Sequence, residues 1–297
     1  MRGAGRIEGS MSETWYFFAL GALVLMGVQR FLYKVSAERN CNTAWTTFAF
    51  MGTVAVLSAA IFLLSGAEEP NFTFLLLISV VNSLSFLLAT VTHIEALKAI
   101  PTSIAYPIIR LNVVPVVIFS VAYFKDRLSG FQLTGIALAV AVMLILTREA
   151  EGDKSHYRNT RRGVLLASLS LVAGAVASIS SKFAAIYDNP LAYMALSYLL
   201  STLFSFGLRR RFEQQGVSRD LRPALLIGLA MGLINFAGYY LFLKALALGP
   251  LSIVISLTGM HFVIPIVLSV LFYGERLGVV RILAVVMTIV SILLLRL

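Results

Sequence analysis

Ten apolar segments in two sets of five predict an all-α membrane protein, with ten transmembrane helices arranged as a 5+5 inverted repeat. Three observations carry that prediction. Hydrophobic residues make up 59% of the 297-residue chain and charged residues 13%, with a mean hydropathy of +0.89. A soluble globule carries roughly 25% charged residues to keep its surface wet, so the bilayer must be the solvent here. Each segment runs about twenty residues, which a helix needs to cross ~30 Å of hydrocarbon at about 1.5 Å per residue. Barrel strands would be half as long and would alternate in polarity. Finally, the chain repeats itself. Pro101 to Leu128 matches Pro250 to Leu277: each copy opens on proline, carries an internal proline (Pro115, Pro265) and closes in a charged turn. Those turns read Lys125-Asp126-Arg127-Leu128 and Gly274-Glu275-Arg276-Leu277. A softer match pairs Tyr33-Lys34-Val35-Ser36-Ala37 with Ser181-Lys182-Phe183-Ala184-Ala185.

In chain order, residues 1–14 form a polar tail with a second plausible start at Met11, and are set apart from the fold. The first five-helix repeat covers 15–147, with spans expected at Trp15–Ser36, Thr43–Ser65, Phe72–Lys98, Ser103–Phe124 and Leu128–Thr147. A charged linker, 148–162, marks the boundary. The second repeat covers 163–297, with spans at Gly163–Ala185, Pro190–Leu208, Pro223–Ala247, Ser252–Phe272 and Leu277–Leu295. Prolines punctuate several starts, where a missing N–H would be an orphan anyway. Five is odd, so the second set begins on the opposite side of the membrane. Two such halves are related by a pseudo-two-fold axis in the membrane plane, an arrangement that often means a transporter.

The net charge of +10 raises nucleic acid as a partner, but the basic residues flank apolar segments, where they set topology. No nucleic-acid role is expected. The single cysteine, Cys41, rules out an internal disulfide and a cysteine metal cluster. No Walker loop, His-Glu-x-x-His or nucleophile elbow occurs, so neither an enzyme, a metal nor a cofactor is expected.

Polar stripes mark where solute would sit. The third segment puts Asn82, Ser85 and His93 on one face, the fourth Tyr106 and Arg110, the eighth Asn235 and Tyr239, and the ninth Thr258 and His261. Such residues inside a bilayer face a protein interior or an aqueous cavity. Arg110, about a third of the way along the fourth segment, costs at least about 2.5–3.5 kcal/mol there and needs an anionic partner. That partner is Glu95, in a pair that only staples two helices, or a substrate anion. His261 either relays protons or sits neutral against a helix carbonyl. Pro115 and Pro265 free the carbonyls of Leu111 and His261, and make the fourth and ninth segments candidate hinges. Arg30, Lys34 and Lys182 read as a basic gate or vestibule, or as side chains snorkelling to headgroups. Gly228 and Gly232 read as a close helix contact.

The 5+5 duplication, the Gly274-Glu275-Arg276-Leu277 turn and the lysines Lys34 and Lys182 together resemble the drug/metabolite transporter (DMT) superfamily, in its EamA-type ten-helix members. The resemblance implies a basket of ten helices, with a cavity lined by the third, fourth, eighth and ninth and gated by the first, second, sixth and seventh. It implies a secondary transporter of a small polar metabolite: an amino acid, a related zwitterion or an organic anion. It also implies export and a bacterial inner-membrane location, while a proton as coupling ion is the reading of His261 alone. Organic-cation export, sugar-phosphate or nucleotide-sugar exchange and a lipid-binding scaffold are the alternatives. The family places both termini in the cytoplasm, whereas the basic loops here favour the reverse.

Overall fold

Helices make up all the regular structure among the described residues of a computed structural model, namely 4–66, 71–100, 105, 108–109, 111–151, 160–213, 221–273 and 278–297. In chain order these are α1 (Ala4–Glu38), α2 (Thr43–Leu64), α3 (Phe72–Ala99), α4 (Val113–Phe119), a π-helical turn (Ser120–Phe124), α5 (Gly130–Glu151) and α6 (Thr160–Tyr187). Then follow α7 (Pro190–Glu213), α8 (Arg222–Leu248), α9 (Leu251–Gly259), a 3₁₀ turn (Met260–Phe262), α10 (Val263–Tyr273) and α11 (Val279–Arg296). Among the described residues, seven stretches are long and apolar enough to cross a membrane, the last of them the broken run Leu251–Phe272. Shorter apolar helices cover Val113–Phe124, Gly130–Val142 and Val285–Arg296. They fall in the segments read as the fourth, fifth and tenth spans.

Local chemistry sets the boundaries. Asn42, Asn71 and Asn189 each accept backbone N–H bonds from the first turns of α2, α3 and α7, satisfying donors that the helix leaves orphaned. A capping box opens α5: the Ser129 hydroxyl accepts from Gln132 N–H, and the Gln132 amide oxygen accepts from Ser129 N–H. Pro115 lies in the first turn of α4, where its missing N–H breaks no bond. The carbonyl of Leu111 expected to be freed there accepts instead from Val114 N–H at 3.0 Å. The ninth segment does break. Pro265 cannot donate to His261, and the chain tightens into the 3₁₀ turn just before it.

Packing crosses the two repeats. Helix α2 lies along α7 and α8, α3 along α6 and α7, α1 along α8 and α10, α4 against α9, and α5 against α11. In a bilayer this association rests on close van der Waals contact, because lipid tails are as apolar as leucine. The Gly228/Gly232 face is such a contact. A Cβ on Gly228 would lie 2.5 Å from the Thr46 carbonyl oxygen, and one on Gly232 would lie 2.5 Å from Thr53 Cβ. Gly232→Leu therefore cannot be absorbed by a rotamer change. It is expected to lower the melting temperature in detergent by several degrees or to prevent folding, as read by static light scattering on heating.

A buried cavity at a helix break

The 3₁₀ turn places His261 beside the packed centre of the bundle. Its Nδ1 donates to the Thr258 carbonyl at 2.5 Å. Thr258 Oγ1 in turn donates to Val254 O. The carbonyl released by Pro265 packs on α1, where a Cβ on Gly27 would sit 3.0 Å from His261 O. Only glycine lets α1 approach that closely.

Thr258 and His261 form one wall of a cavity with about 70 Å³ open to the centre of a water-sized sphere. One water needs ~10–15 Å³ on that measure, so the space holds several waters or a small solute. From α1 come Met26 and Arg30, from α3 Phe86, Ala89, Thr90 and His93, and from the start of α4 Asn112. Helix α6 gives Ser170, Gly174, Ser178 and Ser181, and α8 gives Tyr239 and Phe242.

Arg30 is the cation on this wall among the described residues. It is only 8% exposed, and its guanidinium lies 4.7 Å from the centre of the Tyr33 ring. His93 meets the same ring edge-on at 5.2 Å. Stacking on an aromatic face suits a weakly hydrated guanidinium.

The predicted residues divide into groups. His93, Tyr239, Thr258, His261 and Arg30 are gathered at the cavity. Asn82 and Asn235 tie helices together instead. Asn82 Nδ2 donates to Ala177 O and to the Ser180 and Ser181 hydroxyls of α6. Asn235 Oδ1 accepts from Tyr198 OH at 2.7 Å, and its Nδ2 reaches Gln29 of α1. Ser85 is half-buried and donates to Val81 O of its own helix. Tyr106, Arg110 and the Gly274-Glu275-Arg276-Leu277 turn lie outside the described residues. Glu95 accepts from Lys98 Nζ at 2.8 Å and from Thr43 Oγ1, stapling α3 to the start of α2. Lys34 and Lys182 are buried rather than reaching for headgroups.

Sequence reasoning missed the α6 wall. Ser170, Gly174, Ser178 and Ser181 recur at helical spacing, a signal as plain as those of the third and eighth segments. It missed Asn112 and Thr90 too.

At the end of the bundle where α1 begins, two charged groups grip the α8–α9 break. Lys182 Nζ donates to the Leu246 and Gly249 carbonyls, at 2.6 and 2.9 Å, where α8 ends. Asp126, just past the π turn, accepts from Ser252 N–H at 3.1 Å and Ser252 Oγ at 2.7 Å, where α9 starts. Each charge matches the helix dipole it meets: cation at a C-terminus, anion at an N-terminus. At the other end, Cys41 is 2% exposed. Burial pushes its thiol above the ordinary range, and the Ser36 hydroxyl, Arg39 and Lys98 pull it only partly back. Less thiolate forms at neutral pH. The folded protein is expected to resist an aqueous maleimide at pH 7 and to react within minutes once unfolded in SDS, by mass spectrometry.

Membrane-length helices around a polar cavity beside a broken helix define a membrane carrier. The EamA-like transporter family model matches residues 13–148 and again 161–297, and the chain belongs to that family, within the DMT superfamily. It is thus a multi-pass integral membrane protein with a small-molecule substrate. A crystal structure of another protein superposes over 97% of this chain and 98% of its own, with a TM-score of 0.71 at 18% identity, a likeness of fold. Among curated proteins, none matches the chain.

Proposed function

We propose that this chain is a secondary transporter that exports a small polar metabolite bearing an acidic group, a zwitterion or organic anion, from the bacterial inner membrane. It works by alternating access between two inverted five-helix halves. The observation that carries this reading is the buried Arg30 guanidinium on the cavity wall, held against Tyr33. A buried cation with a fork of donors selects a carboxylate or phosphate. An organic-cation exporter would want the opposite charge, and no carboxylate lines the cavity among the described residues. The helix contacts support a duplicated arrangement, because exchanging each span with the one five further on maps α1–α8 onto α6–α3, and α2–α8 onto α7–α3; inversion follows from the odd number of spans in each half. Arg110, between the cavity-lining Ile109 and Asn112 in sequence, is a second candidate for the acid. His93 and His261 are the candidates for proton coupling.

Purified protein in liposomes should exchange radiolabelled alanine, lactate or propionate against an unlabelled internal pool. Failure to move any of these acids, with exchange of organic cations instead, would reverse the assignment.

A further inference from the structure

At the end of the bundle where α1 begins, aromatic rings from three helices run side by side. Phe74 of α3 meets Tyr187 at 6.0 Å, and Tyr187 stacks on Phe183 of the same helix, α6, at 6.5 Å. Phe183 meets Tyr123 of the π turn at 5.4 Å, and Tyr123 stacks on Phe119 of α4 at 5.2 Å. The core tyrosines Tyr33, Tyr193, Tyr198 and Tyr239 are at most 2% exposed, whereas Tyr123 and Tyr187 are 60% and 63% exposed. Neither exposed hydroxyl has a hydrogen-bond partner among the described residues. The rings stand at the ends of apolar runs: Val113–Phe124 and Arg161–Tyr187 stop there, and Phe72–Ala99 starts there. That is headgroup depth, where an amphipathic ring keeps its body among acyl chains and its hydroxyl in the wet layer.

The turn beyond the rings supplies charge. Lys125 takes a left-handed conformation (φ 58°, ψ 34°), and the chain bends sharply there. Asp126 is spent inward, accepting from the hydroxyls of Ser120 and Ser252. Its neighbours Lys125 and Arg127 stay exposed, and neither makes an ion pair among the described residues. Two cations thus stand beside the ring ladder with the acid between them already engaged. A phosphate completes this set, because ammonium, guanidinium and phenol all donate to its oxygens. The ladder adds apolar surface for which a soluble phosphate has no use.

We propose that the seam where α4 packs on α6 is a site for an anionic phospholipid, with its headgroup phosphate on Lys125 and Arg127 and an acyl chain along the rings of Phe119, Tyr123, Phe183 and Tyr187. Any apolar face in a bilayer meets lipid. This one joins a continuous ladder of rings to cations that lack a protein acid, and so selects by headgroup charge. The site is independent of what the cavity carries.

Delipidated full-length protein in detergent, titrated with phosphatidylglycerol or phosphatidylcholine, tests it by native mass spectrometry and melting temperature. The wild type should retain phosphatidylglycerol in preference and melt higher with it. Lys125→Gln with Arg127→Gln should weaken that retention by about tenfold or more, since each basic side chain at an anionic headgroup contributes a several-fold preference. Tyr123→Ala should weaken it too. Arg161→Gln with Arg162→Gln removes the same charge at exposed positions at the other end, and should leave retention unchanged. Equal retention of both lipids by the wild type, or an equal loss in the Arg161 and Arg162 pair, would reduce the effect to diffuse attraction and overturn the site. Glycerol phosphate that displaces the lipid at equal concentration would assign the cations to a free phosphate, and overturn it as well. A lipid-free dimer that Tyr123→Ala abolishes would give the face to a second copy of the chain. Should the first double variant not fold, Arg127→Gln alone decides: a smaller loss in the same direction supports the site, and full retention counts against it.

Discussion

Arg30→Gln is expected to slow exchange of a small organic acid by roughly a hundredfold, with the protein still folded. Truncating one partner of a buried, hydrogen-bonded charge pair costs about 2–5 kcal/mol, and each 1.4 kcal/mol is about tenfold. Glutamine keeps donors and similar reach but loses the charge. Arg30→Lys should recover only part of the rate. Lysine restores a point charge, but not the planar fork or the stacking on Tyr33, which lies 4.7 Å away in the native protein. A purely structural Arg30 gives a different pattern. The melting temperature would fall in both variants, while the ratio of acid to neutral solute moved would stay as in the wild type. That ratio is the decisive reading. Should Arg30→Gln keep full acid exchange, the carboxylate site passes to Arg110, and Arg110→Ala becomes the variant to measure.

The sequence made the membrane class plain because bilayer solvation leaves a compositional mark that no soluble fold mimics. It also marked the cavity helices, since Asn, His and Arg have no use against lipid. What it hid were choices made by geometry. Asn82 and Tyr239 look alike on a helical wheel, yet Asn82 is consumed by three acceptors of α6 while Tyr239 reaches the cavity. Arg30 and Lys34 share a face one turn apart, and both looked like snorkelling side chains. Only the position of Tyr33 and its ring contacts places Arg30 on the cavity. Asn112 was invisible because the fourth segment read as one helix, whereas α4 starts afresh at Val113 and leaves Asn112 in a turn. The charged turn at Asp126 was legible as half of a repeat, but its target at Ser252 lies 126 residues away and could not be paired from one sequence.

That pairing yields the second large effect. Asp126→Ala combined with Lys182→Met should release the end of the bundle where α1 begins. Both contacts cross between structural units: Asp126 follows the π turn and reaches α9, and Lys182 of α6 holds the last carbonyls of α8. A hydrogen bond to a charged group contributes about 1.5–3 kcal/mol, enough for a ten- to hundredfold shift between closed and open conformers at that end. A reporter cysteine at Ser178, on the cavity wall, should then react at least about tenfold faster with an impermeant methanethiosulfonate applied from that side. The native Cys41 is buried and contributes little background. Acid exchange should fall at the same time, because a carrier held open at one end cannot return. If the contacts merely cap helix ends, the melting temperature drops by the degree or two expected of a lost cap, and labelling at Ser178 keeps its wild-type rate. The two outcomes separate a latch from a cap because only a latch couples the α8–α9 break to access at a wall formed by α6.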